Sequence, residues 1–360
     1  MSGWQPCTLG QVVTLQRGFD ITQAQQTDGK YPVVSSSGVK SYHREWQVRG
    51  PGVVIGRKGT LGSVFYLENN FWPHDTTLWV RDFHGNVPRF IFYYLKSLDL
   101  GVYDVGSSNP TLNRNHVHLL PASVPSPTEQ EVIAAVLSSL DNKIDLLHRQ
   151  NKTLEAMAET LFRQWLDEGS GEDAREGTLG DEFDFTMGQS PSGNSFNEDG
   201  IGVPMFQGNA DFGFRFPKER IYTSEPTRFA NPLDTLISVR APVGAQNMAK
   251  TKCCIGRGVA AFRYKRDNSY YTYTYFKLRS LMSDIRQFDD EGTVFGSISK
   301  SDFHALSITI SADGLVDKFE SEAKQINDKV IFNCQQIDTL ETLRDGLLPR
   351  LMSGEVRVAY

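Results

Sequence analysis

Cysteine is scarce in this chain, with four in 360 residues and no C-x-x-C pair. Cys7, Cys253, Cys254 and Cys334 therefore offer neither a disulfide scaffold nor a thiolate zinc clamp, and they are expected as reduced thiols of a cytoplasmic protein. Histidine is also sparse, seven in all, and His and Cys never cluster at ligand spacing, so no metal site is expected. No apolar run reaches the ~18 residues of a membrane span, and Met1–Pro6 lacks the basic-then-apolar order of a secretory signal. Catalytic signatures are missing as well. There is no G-x-x-x-x-G-K-[ST], no G-x-G-x-x-G opening a helix after a strand, no G-x-S-x-G, no H-E-x-x-H and no Asn-Pro-Pro-aromatic motif. Gly56-Arg-Lys-Gly59-Thr-Leu-Gly62 is glycine-rich and basic but lacks the P-loop lysine position. No catalytic residue is expected.

What the chain does contain is an internal repeat. At an offset of 186, residues 106–161 lie over 292–347 without a gap, with His118/His304, Leu120/Leu306, Lys143/Lys329, Gln150/Gln336 and Leu154-Glu155/Leu340-Glu341 identical. Upstream the offset drifts: Leu9-Gly10 matches Leu179-Gly180 at 170, Pro32 matches Pro204 at 172, and Gly62 matches Gly244 at 182. Two globular halves thus share a framework, with loops of unequal length between the matched points. In each, short strands between glycine turns are expected at Val53–Ile55, Val64–Leu67 and Thr77–Val80, and at Leu236–Val239 and Gly258–Phe262. Short helices are expected over Phe90–Leu98 and Tyr271–Leu281.

A long helix follows each half. Thr128-x-x-Glu131 offers a capping box. Apolar positions then recur by three and four at Ile133, Leu137, Leu140, Ile144, Leu147, Asn151, Leu154, Ala158, Leu161 and Trp165. The copy runs Phe319, Ala323, Ile326, Val330, Asn333, Ile337, Leu340, Arg344, Leu347 and Leu351. A heptad seam of that length predicts a coiled coil, with Asn151 and Asn333 fixing register. Two equal seams in one chain pack most simply on each other as an antiparallel, pseudo-two-fold pair with one domain at each end. A seam of about 33 residues spans roughly 50 Å, a ruler between the domains. Arg344 stands where the first copy has Ala158, and Asn333 where it has Leu147. These polar groups either pair across the seam or mark a partner's surface. The expected organisation is a first domain over 1–127, a long helix over 128–168, a linker over 169–177, a second domain over 178–314 and a second helix over 315–360, with a last short strand near 353–358.

Charge is uneven. The net charge is −6, yet residues 212–280 carry thirteen Lys/Arg against four Asp/Glu, while 131–176 carry five against ten. A basic window beside an acidic one fits an anionic partner met on part of the surface, or an unevenly charged solvated face. The histidines also leave two readings: His74-Asp75 and His116-x-His118 could be ligands or acid–base groups, but only His118/His304 repeats, in a segment expected as strand, which favours a packed structural histidine. Polar loops at matching places suit base readout, since Arg and Lys grip guanine or phosphate and Asn and Gln match adenine. The candidate DNA contacts in the first half are Ser36, Lys40, His43, Arg44, Arg57, Lys58, Ser107, Ser108, Asn109 and Arg114. Those in the second are Gln207, Asn209, Arg215, Arg240, Thr293 and Lys300. The candidate coiled-coil and partner positions are Leu140, Ile144, Leu147, Asn151, Leu154, Ile326, Val330, Asn333, Ile337 and Leu340.

The doubled order of Thr8-Leu-Gly10/Thr178-Leu-Gly180, Arg57–Gly62/Arg240–Gly244, Asn109-Pro-Thr-Leu-Asn113, the proline-rich exit before Glu129-Gln130, and Leu347-Leu-x-x-Leu351-x-x-Gly354-Glu355 resembles the specificity subunit of type I restriction–modification systems over nearly the whole chain. The resemblance implies an α+β fold with two pseudo-symmetric mixed α/β target-recognition domains separated by two long antiparallel coiled-coil helices. It implies that each domain reads one half of a bipartite site in double-stranded DNA, and that the helices dock two modification (adenine methyltransferase) subunits, with restriction (motor-nuclease) subunits joining them. S-adenosylmethionine, ATP and Mg would sit on those partners and no cofactor on this chain. Because the two halves differ in loops and side chains, the target is expected to be asymmetric. The alternatives are a coiled-coil assembly scaffold that does not touch DNA, and a stand-alone enzyme using the first-half histidines.

Overall fold

The computed structural model describes residues 4–103, 111–167, 174–290 and 297–358. The chain folds as two compact units, Met1–Asp145 with Asp338–Tyr360, and Leu146–Ile337. The expected strands and short helices form, the helices as Pro88–Ser97 and Tyr271–Ser280.

In the first unit a four-stranded antiparallel sheet runs Thr14–Arg17, Thr77–Asp82, Gly52–Gly56, Val64–Leu67 in spatial order. Val53, Val54 and Ile55 are all fully buried, as suits a central strand of β-branched residues covered on both faces. The second unit repeats the sheet as Phe183–Met187, Val259–Tyr264, Thr235–Ser238, Gln246–Met248. The register is copied from Leu15 onward, past a bulge at Thr14 that the second unit lacks. Arg17 pairs with Leu78 as Met187 pairs with Ala260, at the offsets of 170 and 182 seen in the sequence. A parallel pairing sets Val33 beside Trp72 and Val34 beside Pro73; Met205 beside Cys254 and Phe206 beside Ile255 is its image at 172 and 182. A further strand pair, Gln5–Thr8 with Pro121–Val124, recurs as Arg175–Thr178 with Ser307–Ile310.

The repeated histidine packs on the repeated glycine. A Cβ on Gly10 would meet His118 at 3.1 Å, and one on Gly180 would meet His304 at 2.7 Å. His118 also accepts the Leu15 N–H at Nε2 (2.9 Å), while burial and then the Arg114 charge hold its pKa below the ordinary imidazole value. Both histidines lie in helical turns, Arg114–His118 and Lys300–Ala305, not in the strand expected for them. The turn places the ring over the glycine, which an extended segment would not.

The long helices span Pro127–Phe162, continued by a π-helical turn Arg163–Asp167, and Asp313–Met352. Ser126, not Thr128, stands at the first N-terminus. Its Oγ accepts the Glu129 N–H (3.4 Å) and its carbonyl the Gln130 N–H (2.9 Å), with Pro127 at the position where a missing N–H costs nothing. Every expected seam position is buried or half-buried.

Within the first unit Ile133 and Leu137 share a core with Leu351 and Met352, Asp141 binds Arg344 (3.0 Å), and Glu129 binds Arg357 (3.1 Å). Within the second, Phe162 meets Phe319 edge-on (5.3 Å), and Asn333 donates to Asn151 Oδ1 (2.8 Å). In both units low numbers of one helix meet high numbers of the other, so the helices run antiparallel. The polar seam residues find partners on the facing helix: Arg344 pairs with Asp141, which flanks the seam, and Asn333 with Asn151 within it. The repeat maps Asn151 and Asn333 onto Ile337 and Leu147, so one polar layer has an apolar twin. After Met352 the chain turns, and no strand forms among the described residues 353–358. No disulfide links the cysteines among the described residues, and Cys253 and Cys254 are buried. No helix among the described residues is long and apolar enough to cross a membrane.

Candidate nucleic-acid interface

One loop is copied between the units. Gly62 donates to the Gly56 carbonyl (3.0 Å), and Gly244 to that of Ser238 (3.0 Å). Gly62 and Gly244 both take positive φ, +73° and +80°, which explains the repeated glycine. Leu112 donates to Arg57 O (2.9 Å) and Ile298 to Val239 O (3.2 Å). Lys58 bridges Thr111 as Arg240 bridges Ser297. Lys58 and Arg240 thus occupy one place in two frames, and both are exposed. Arg57 is matched by the buried Val239, and Arg114 by Lys300; both of these cations are exposed.

The frame diverges between the parallel strand and the central strand, where the second unit has ten extra residues, the drift from offset 172 to 182. In the first unit this region is a hairpin, Tyr31–Ser35 with Gly38–His43. Lys40 and Arg44 are exposed on it; Ser36 and His43 are buried. His43 Nδ1 accepts the Thr27 N–H (3.0 Å) and its ring packs edge-on against Trp72 (5.4 Å). His43 thus holds the hairpin from inside, and with only 8% of Ser36 and 5% of His43 exposed neither offers a duplex more than a sliver of surface, which corrects their expected role. In the second unit Gln207 and Asn209 are exposed in the loop that replaces the hairpin.

Arg215 is corrected outright. Its side chain is 0% exposed. The guanidinium lies 3.9 Å from the Tyr275 ring centroid and donates to Glu155 Oε1 (2.9 Å). Nε and Nη1 find no hydrogen-bond partner among the described residues. Arg279 binds the same Glu155 oxygen (3.1 Å) and also pairs with Glu159. The charge asymmetry in the sequence is therefore partly spent inside the protein. Arg215, Arg220, Arg263, Arg266 and Arg279, five of the thirteen cations of the basic window, are ion-paired, two of them to the acidic helix. Ser107, Ser108, Asn109 and Thr293 lie outside the described residues, as do 169–173 of the expected linker.

Sequence reasoning passed over three side chains. Tyr42 and Trp46 are exposed on and just after the first-unit hairpin, among Lys40 and Arg44. The interleaving of aromatic and basic residues in Lys40-Ser-Tyr-His-Arg-Glu-Trp46 was the available signal. Arg17 projects from a strand end beside Arg57, where only the tertiary fold places it. Its partner Asp75 (2.8 Å) also lies 3.1 Å from His74 Nδ1. Burial opposes the Asp75 carboxylate, but the Arg17 hydrogen bond and the His74, Arg17 and Lys58 charges hold its pKa below the ordinary value. Asp20, His74 and Asp75 bring ligand atoms within 4.8 Å of one another, but the Arg17 contact already occupies one Asp75 oxygen, so the group reads as an ion-pair cluster.

Residues 1–156 match the type I restriction modification DNA specificity domain. Over 264 residues the chain is 31% identical to the protein named MjaX specificity subunit of a type I restriction enzyme, from Methanocaldococcus jannaschii, covering 69% of this chain and 62% of that one. The chain belongs to the type I restriction–modification specificity-subunit family. It is also 25% identical over 341 residues to the MjaIX type I specificity subunit of the same organism, covering 85% of this chain and 78% of that relative. The first of these matches thus spans less than two thirds of its relative's length. The fold is that of the type I S subunit from M. genitalium, at TM-score 0.69 over 98% of this chain and 96% of that one, with 18% identity.

Proposed function

We propose that the chain is the non-catalytic DNA-specificity subunit of a type I restriction–modification complex in the cytoplasm. Each unit reads one half of an asymmetric bipartite site in double-stranded DNA, and the long helices set the unread gap. The observation that carries this reading is the loop closed by Gly62 or Gly244: one backbone with identical hydrogen bonds, bearing Arg57-Lys58 in one copy and Val239-Arg240 in the other. A scaffold would have no use for one frame with two chemistries, whereas a reader of two unlike half-sites requires it.

The helices carry the second part of the proposal. Their exposed large apolar residues repeat at the offset of 186, Leu146 with Phe332 and Met157 with Leu343, each 40–51% exposed. Two equivalent apolar faces suit two copies of one partner. In this reading these are the modification subunits, which bind S-adenosylmethionine and methylate adenine. Restriction subunits bring ATP and Mg. The test is single-molecule sequencing of adenine methylation in the native genome with and without this gene. A gapped, asymmetric motif that loses methylation on deletion supports the proposal. An unchanged methylome, together with a purified complex that lacks a methyltransferase, refutes it.

A further inference from the structure

Arg17, Arg57, Leu78, Leu112 and Arg114 line a cavity of about 300 Å³ in the first unit. Three guanidiniums around one cavity repel one another. Burial, and then the Arg17 charge, push the Arg57 pKa below its ordinary value, although an arginine there stays cationic. Asp75 binds Arg17 through Oδ2 and accepts from Arg57 Nη1 only through its backbone oxygen (3.2 Å), and the Asp20 carboxylate lies within 4.8 Å of that of Asp75, so two carboxylates stand against three guanidiniums. The cavity keeps an excess of positive charge.

The second unit shows that the fold does not need Arg17 or Arg57, whereas Arg114 is matched there by another exposed cation, Lys300. The positions equivalent to Arg17, Arg57, Leu78 and Leu112 are Met187, Val239, Ala260 and Ile298, all of which belong to or pack on the apolar core there. The same backbone, with the same strand register and loop hydrogen bonds, closes over hydrocarbon in one copy and over arginines in the other. Packing does not call for arginine at these two places, since Met and Val fill them in the second copy; in the first, Asp75 holds both guanidiniums, one through its carboxylate and one through its backbone oxygen.

We propose that this cavity holds a phosphate group, and that it belongs to the first unit alone. A base edge takes one bidentate guanidinium fork in the plane of the base. Donors converging from three side chains instead suit a tetrahedral group with several anionic oxygens. The phosphate comes from the DNA backbone or from a free phosphate ligand; the first source rests on the DNA reading above, the chemistry does not. In the DNA case the half-site read by the first unit is the more salt-dependent of the two.

The tests use Arg17→Met and Arg57→Val, singly and together, because these variants install the side chains with which the second copy already folds. In the complex isolated from its native cell, the slope of log affinity against log salt should become shallower by up to about one in the double variant, the share of the one phosphate released. The loss should be equal on cognate and non-cognate duplexes. Loss of preference at one base position, with an unchanged slope, assigns the arginines to base readout and overturns the proposal. The second arm measures the melting temperature of the full chain in inorganic phosphate and in chloride at matched ionic strength. A phosphate-dependent rise that vanishes in the variants assigns the site to a free phosphate. No effect in either arm overturns the proposal. A complex without sequence preference whose salt slope still falls in the variants would sink the specificity reading and leave the phosphate site standing.

Discussion

Replacing Glu155 by alanine should unfold part of the second unit more readily than any surface change. Glu155 is the counterion of a guanidinium with no route to water, and Arg279 shares the same oxygen. Removing the carboxylate leaves Arg215 charged and enclosed, with Nε and Nη1 already lacking partners among the described residues and the Tyr275 ring against the guanidinium. Breaking a buried pair from one side typically costs about 3–5 kcal/mol, because the surviving charge keeps its desolvation penalty without its partner. For a unit of this size that corresponds to a melting shift of roughly 6–20 °C. Glu155→Gln should cost less, since the amide oxygen still accepts a hydrogen bond. Calorimetry of the full chain measures the loss. Hydrogen exchange by mass spectrometry locates it, with the helix Tyr271–Ser280 losing protection while Pro88–Ser97 of the first unit keeps it. A change below about 1 kcal/mol, the range of an exposed ion pair, would refute the argument that this pair is a buried anchor.

Asn151→Leu alone should destabilise by about 1–3 kcal/mol by orphaning buried Asn333, whereas Asn151→Ile with Asn333→Leu copies the apolar twin layer and should recover that loss or exceed it; chemical denaturation of the two variants decides, and an additive double variant would count against the pairing. His118 has a folded pKa below its unfolded value near 6.5, so the unfolded chain binds the proton first: its stabilising share is complete above about pH 6.5 and is lost as pH falls from there through the folded pKa. Urea midpoints against pH should show this decline in the wild type and a flatter profile in His118→Gln; parallel profiles would exclude the histidine as the source. Exchanging residues 8–120 for another recognition domain should alter one half of the methylated motif and leave the other intact, as read by methylome sequencing. Inserting four residues after Leu154 should lengthen the unread gap while preserving both half-sites, and a target with unchanged spacing would refute the helices as the ruler.

The duplication was legible because it constrains backbone. A glycine that must take positive φ, such as Gly62 and Gly244, or must pass under a histidine, such as Gly10 and Gly180, admits little substitution, so its spacing survives when the surrounding side chains change. The seams were legible for a similar reason, since a heptad written into one helix fixes which side is buried whatever covers it. Local composition also gave the candidate loops, as types of residue that can touch a nucleic acid.

Which of those residues face outward was decided only by the tertiary structure. Arg215 and Arg240 look alike in the sequence, yet the first is sealed against Glu155 and Tyr275 from distant segments while the second stands exposed at a copied turn. The basic window and the acidic helix, read apart, suggest an anionic partner; in the folded chain Arg215 and Arg279 satisfy Glu155 and Glu159. Arg17 gave no signal at all until strand pairing brought it beside Arg57. Periodicity and glycine placement are properties of neighbours along the chain, and so the sequence alone determines the frame. Charge pairing and exposure depend on residues 60 to 124 positions apart, and only the closed fold sets them.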